Sequence, residues 1–170
     1  LARLVEIIDR ETVLTRTADD SDPIERVIVA NADQMAIVTA AANPEPRIGL
    51  IDRALVAAFE AGLEPLLIIT KVDLGSPQDI LDNYAGMDLR HIEVNQQTGS
   101  GISDVRAALS ERTTVFLGHS GVGKSTLVRM FSEQEGFDLI EINLEKIKLR
   151  EFEQKESFSI ERVLSEIELI

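Results

Sequence analysis

The chain has no cysteine in 170 residues. It can therefore form no disulfide and no thiolate metal site, and it suits a reducing compartment such as the cytoplasm. With only two histidines, an all-histidine metal centre is not expected either. Basic charge is scarce: 17 Lys+Arg stand against 30 Asp+Glu, a net charge of −13. That balance argues against this chain alone gripping nucleic acid or an anionic membrane, which both need cationic surface. No apolar run reaches the roughly 18 residues of a spanning helix. Leu1-Ala2-Arg3-Leu4 shows no basic region leading into an apolar one, so no secretory signal is expected. What is present is ordinary for a domain with a real core, 44% hydrophobic and 28% charged residues.

Composition changes along the chain. Residues 1–126 hold 15 Ala, all 5 Pro and 2 of the 5 Lys, whereas residues 127–170 hold no Ala, no Pro and 17 charged residues among 44. Either a charged helical tail follows an Ala-rich core, or segments of two origins meet near Gly123–Thr126.

Hydrophobic periodicity predicts alternating strands and helices. Leu4–Ile8 and Thr12–Thr15 read as a hairpin about Asp9-Arg10-Glu11, and Thr17–Pro23 as a polar loop. Arg26–Ala30 and Gln34–Ala40 are near-continuous apolar runs that suit strands buried on both faces. Arg47–Glu60 has helical spacing through Ile48, Ile51, Leu55, Ala58 and Phe59, with Ala61-Gly62 as its stop. Further strands are expected at Pro65–Ile69, Leu89–Val94, Thr113–Leu117 and Leu139–Leu144. Helices are expected at Gln78–Tyr84, Val105–Leu109, Lys124–Ser132 and Ile160–Ile170. The fold class is α/β: a P-loop NTPase-type, mostly parallel sheet of about five strands with helices on both faces.

Three loops carry chemistry. Gly118-His119-Ser120-Gly121-Val122-Gly123-Lys124-Ser125 is an unbroken G-x-x-x-x-G-K-S between a strand and a helix. Glycines let backbone N–H groups turn toward a phosphate, and the helix N-terminus adds partial positive charge. Lys124 can reach the β- and γ-phosphates, and the Ser125 hydroxyl can bind Mg²⁺. Thr70-Lys71-Val72-Asp73 follows the strand Pro65–Ile69. A carboxylate there can accept from the N1–H and N2–H₂ of guanine, a donor pair adenine lacks; a solvated turn is the plain alternative. Asn95-Gln96-Gln97-Thr98-Gly99 follows Leu89–Val94 and either closes over the base or is merely polar.

The base-type loops precede the phosphate loop, the reverse of the usual GTP-binding domain. In this order the chain resembles a circularly permuted GTPase. Residues 1–126 resemble the ribosome small-subunit-dependent GTPase A family, also through Val29-Ala30-Asn31-Ala32-Asp33-Gln34, Leu50-Ile51-Asp52-Arg53, Gly62-Leu63-Glu64-Pro65 and Thr126 after the phosphate loop. The resemblance covers about three-quarters of the chain. It implies GTP/GDP and Mg²⁺ as cofactors, GTP hydrolysis as the parent activity, and the maturing small ribosomal subunit as partner. It implies bound nucleotide at Gly118–Thr126, at Thr70, Lys71 and Asp73, and at Asn95, Gln96, Gln97 and Thr98, with Ser125 on the metal. It divides the chain into an OB-fold remnant with linker (1–24), the permuted core (25–134) and a divergent strand–helix segment (135–170).

The sequence departs from the family pattern in places. Thr70 stands where Asn is commoner, and Asn95-Gln96 where a Ser-Ala pair is usual. No Pro lies beyond residue 77, so the expected Asp-x-Pro-Gly strand end is missing, as is a recognisable switch threonine. Residues 127–170 resemble instead the stretch after the phosphate loop in AAA-like P-loop ATPases. Three other readings therefore stand beside a GTPase: a nucleotide-binding module without turnover, a P-loop ATPase fragment, and a recombined sequence with no cellular role.

Overall fold

In the computed structural model, residues 9–132 are described except for 20 and 21. The expected elements Leu4–Ile8, Leu139–Leu144 and Ile160–Ile170 lie outside the described residues. The first elements among the described residues are β1 (Val13–Asp19) and β2 (Asp22–Ala30), an antiparallel pair. The chain continues as β3 (Gln34–Ala40), α1 (Ile48–Glu60), β4 (Glu64–Thr70), α2 (Gln78–Asn83), β5 (His91–Val94), α3 (Ile102–Leu109), β6 (Thr114–Gly118) and α4 (Lys124–Ser132).

The first two strands correct the sequence reading. Thr17–Pro23, expected as a loop, belongs mostly to β1 and β2. An antiparallel ladder is held by backbone groups that every residue carries, so Asp-rich side chains do not stop it. β2 also runs across the expected boundary at residue 24. Its Val27 and Ile28 are 44% and 46% exposed, so Arg26–Ala30 is not a strand buried on both faces. It pairs in a two-stranded sheet with one covered side, where Leu14 and Val29 join the core.

The other four strands form one parallel sheet in the order β5-β4-β3-β6. Every residue of β3 is buried, which explains its unbroken apolar run. Met35, Ile37, Leu67 and Ile69 pack with Ile51, Ala54, Leu55 and Ala58 of α1 and Ile80 of α2. The intervening Ala36, Val38, Leu66 and Ile68 are equally buried. The chain steps from β3 to β4 to β5 and then returns past both to β6. Right-handed crossovers put α3 on the face opposite α1 and α2.

α1 ends where the sequence placed its stop. Ala61 caps it, Gly62 takes φ +72°, Gly62 N–H bonds the Phe59 carbonyl and Leu63 N–H the Ala58 carbonyl at 2.8 Å. This paired closure uses up otherwise orphaned carbonyls and delivers buried Leu63 straight into β4. Phe59, counted on the apolar face by spacing, is instead 57% exposed.

The strand-entry end of the sheet is closed by polar side chains. Asp33 Oδ2 accepts from Thr113 N–H at 2.6 Å, and Arg112 pairs with Glu64. Gln34, fully buried, donates through Nε2 to the Ala108 carbonyl at 2.9 Å and the Thr114 hydroxyl at 2.8 Å. Tyr84 donates its hydroxyl to Asp52 Oδ1 at 2.8 Å, joining the end of α2 to α1. Burial first, and Asp52 second, hold that phenol well above the ordinary tyrosine range.

Candidate functional site

Because the four strands are parallel, their C-terminal ends share one edge. Ala40 pairs with Thr70, and Thr70 with Val94; Val38 pairs with Gly118. The loops that follow all four strands therefore gather there. The strand order reverses between β3 and β6, the crevice where open α/β sheets bind ligands.

The phosphate-type loop leaves β6 at Gly118. A Cβ on Gly118 would lie 2.3 Å from the Val38 carbonyl oxygen, so only glycine allows β6 to end this close to β3. Gly121 and Gly123 take φ +82° and +93°, left-handed values that favour glycine. Lys124 folds back over the loop, donating to the carbonyls of Gly118 at 2.6 Å and His119 at 2.7 Å. Burial lowers its pKa from the ordinary lysine value. His119 Nδ1 lies 2.8 Å from the Ser120 carbonyl, a local contact. Ser120, Ser125 and Thr126 are exposed.

The next three carbonyls are held by side chains from the other two predicted loops. Lys71, itself at φ +55°, donates through Nζ to the Gly121 carbonyl at 2.9 Å and also to the Asn43 carbonyl. Thr70 is fully buried, and its hydroxyl lies 2.6 Å from the Val122 carbonyl and 3.1 Å from that of Thr39. Its single proton can serve only one of these at a time. Gln96 donates through Nε2 to the Gly123 carbonyl at 3.1 Å. In a planar trans peptide the N–H points opposite to the preceding C=O. Drawing these carbonyls toward β4 and β5 turns the N–H groups of Val122, Gly123 and Lys124 the other way. None of the amides from His119 to Gly123 donates to a described backbone carbonyl outside helices and strands. This is the arrangement an anion needs at the start of a helix.

The third loop is shaped by its own first residue. Asn95 Oδ1 accepts from the N–H groups of Gln97 at 3.0 Å and Thr98 at 3.1 Å. Asn95 N–H bonds the Ser100 carbonyl at 3.0 Å. Asn95 thus folds the loop while Gln96 reaches the phosphate loop; Gln97 and Thr98 are exposed. Asp73 is exposed beside this group. Side chains of residues 70, 71 and 96 bond directly to residues 122, 121 and 123, and Lys124 to residues 118 and 119, whereas Asp73, Gln97, Thr98, Ser120, Ser125 and Thr126 are exposed. Sequence reasoning missed Asn43, whose carbonyl takes the Lys71 ammonium. Its signal was there: Asn43-Pro44-Glu45-Pro46 breaks the chain directly after the most buried strand.

Comparison with known proteins gives a consistent family. The model of the RsgA GTPase family matches residues 7–150. The match runs past Thr126, so the compositional change there does not mark its end. The small ribosomal subunit biogenesis GTPase RsgA of Vibrio cholerae is 39% identical over 135 residues, 75% of this chain and 34% of that protein. Its counterpart in Hahella chejuensis is 40% identical over 114 residues, 64% and 32% of the two chains. Among solved structures, YjeQ from Thermotoga maritima matches with a TM-score of 0.60 at 28% identity, covering 80% of this chain and 46% of that one. YloQ, described as a circularly permuted GTPase, matches with a TM-score of 0.52 at 27% identity, covering 71% and 48%. The matched part of the chain spans 32% to 48% of the length of these proteins.

Proposed function

Since the chain belongs to the RsgA GTPase family, we propose that it binds GDP and GTP at the C-terminal edge of its parallel sheet, with GTP hydrolysis as the activity of the whole protein. The observation that carries this reading is the triple hold on the Gly121, Val122 and Gly123 carbonyls, which joins guanine-type loops to a phosphate-type loop. In this reading Gly118–Thr126 cradles the phosphates, Lys124 swings from its carbonyls onto them, and Asp73 reads the guanine edge. Lys71 and Thr70 fix the loop beneath the nucleotide, and Asn95–Thr98 closes over the base. Ser125 offers an exposed hydroxyl oxygen at the first turn of α4, a donor that suits Mg²⁺ shared with nucleotide phosphates. The metal would supply charge neutralisation at the phosphates.

The partner proposed for the whole protein is the small ribosomal subunit, as the names of the Vibrio and Hahella proteins support, and the place proposed for it is the cytoplasm. No described helix is long and apolar enough to cross a membrane. The antiparallel β1–β2 pair is proposed as the OB-fold remnant of residues 1–24, continued by β2 into the core. The missing Asp-x-Pro-Gly favours a second reading, nucleotide binding with negligible turnover. Calorimetry with GDP, GTP and ATP, with and without Mg²⁺, tests the binding; guanine nucleotides are expected to win over ATP. Single-turnover assays are expected to give hydrolysis on the order of 10⁻⁴ per second or slower, the level of unassisted GTPases. Preference for ATP would overturn the assignment.

A further inference from the structure

Gly123 is doubly engaged within the phosphate loop. Its carbonyl accepts from Leu127 N–H at 3.0 Å, an early bond of α4, and from Gln96 Nε2 at 3.1 Å. Both lone pairs of that oxygen are thereby used. Gln96 also fits closely: a Cβ on Gly123 would lie 2.8 Å from both Gln96 Nε2 and Gln96 Oε1. The carboxamide therefore rests on the bare α-carbon of a glycine whose φ of +93° already excludes other residues. The backbone of Gln96 meanwhile sits in a turn fixed by Asn95. One side chain thus spans from the loop at the end of β5 to the peptide that begins α4.

We propose that Gln96 is a positioning residue that couples closure of the base-side loop to the grip on the β-phosphate. This rests on the proposed nucleotide reading and goes beyond it. Holding the Gly123 carbonyl aims the Lys124 amide and the start of α4 at the position of the β-phosphate. A nucleotide that seats the Asn95–Gly99 loop tightens the phosphate loop through the same bond. Gln96 itself needs no contact with the phosphate.

The test separates the β-phosphate contribution from base recognition. Affinities for GDP and GMP are measured by competition against a fluorescent GDP analogue, for the parent, Gln96→Met and Gln96→Ala. Met keeps the length of the side chain and removes the donor; Ala removes both. Both variants are expected to remain folded, with one cooperative thermal transition. The GDP-to-GMP affinity ratio is expected to fall about two- to tenfold, the worth of one neutral hydrogen bond. An unchanged ratio in both variants overturns the proposal. So does an equal weakening of GDP and GMP, which would confine Gln96 to the base-side loop. If the parent itself fails to bind GDP, the nucleotide reading falls first and this inference with it.

Discussion

The two ends of the parallel sheet are both closed by side chains, but they are closed differently. At the strand-entry end, Asp33 accepts from the Thr113 N–H, Gln34 donates to Ala108 and Thr114, and the Glu64 carboxylate is matched with the Arg112 guanidinium. At the strand-exit end, Lys71, Thr70, Gln96 and Lys124 all bond to backbone carbonyls. Among the described residues no carboxylate pairs with either lysine. The first pattern finishes a structure. The second gathers two lysines and a run of loop amides at one edge, the pattern on which the proposed nucleotide site rests. The contrast teaches that polar side chains alone do not mark a site; what they hold does.

The largest effect expected from breaking this contrast is at Lys124. Lys124→Ala should weaken GDP and GTP binding by at least about 2–5 kcal/mol, the cost of removing one partner of a buried charge pair. The melting temperature should barely change. Calorimetry and thermal melting together check it; unchanged affinity would remove the phosphate loop from the account.

The mirror experiment is at the other end. Gln34→Leu strips the Ala108 carbonyl and Thr114 hydroxyl of their buried donor and should destabilise the fold by about 1–3 kcal/mol in urea unfolding. Gln34 Oε1 has no partner among the described residues, and its loss places the cost toward the lower figure. GDP affinity should not move, and a matching fall in affinity would mean the two ends are not separate.

A smaller effect comes from pH. Burial depresses the Lys124 pKa in the free protein, and a bound diphosphate would raise it. Between those two values binding takes up a proton, so GDP affinity should decline as pH rises through that window and stay level below it. The free protein should gain stability over the alkaline range, because the unfolded chain holds more protons there. Titration in buffers of different ionisation enthalpy reads the uptake directly; no uptake at alkaline pH would mean Lys124 does not meet the phosphates.

The parts of the candidate site that could be read from the sequence are those whose signals are local. Gly121 and Gly123 mark left-handed backbone that favours glycine, Gly118 marks a close approach to Val38, and the run Gln34–Ala40 marks a central parallel strand. The order of the loops fixed the permuted topology, since each follows its own strand. What stayed hidden was relational. Nothing in Thr17–Pro23 announces a partner strand, because the ladder is made by backbone alone. Nothing in Gln96 announces Gly123, 27 residues away. Phe59 follows the helical period of α1, yet periodicity gives a face and not its width. Thr70 drew attention as a departure from Asn, and its burial shows a use that needs only a hydroxyl: a tie to Val122.

The claim that matters most is that the exit end reads guanine. Asp73 is the residue assigned to that, through the paired donors N1–H and N2–H₂. In Asp73→Asn the amide presents one acceptor and one donor, which mismatches guanine and suits xanthine, whose 2-oxo group lies beside a donor N1–H. A single calorimetric series with GDP, XDP and ADP on the parent, Asp73→Asn and the control Asp79→Asn tests it. The account predicts GDP binding weaker by about 1–3 kcal/mol, stronger XDP binding, unchanged ADP binding, and a control like the parent. If Asp73→Asn binds GDP and XDP just as the parent does, the exit end holds phosphates without reading guanine, and the central claim is contradicted.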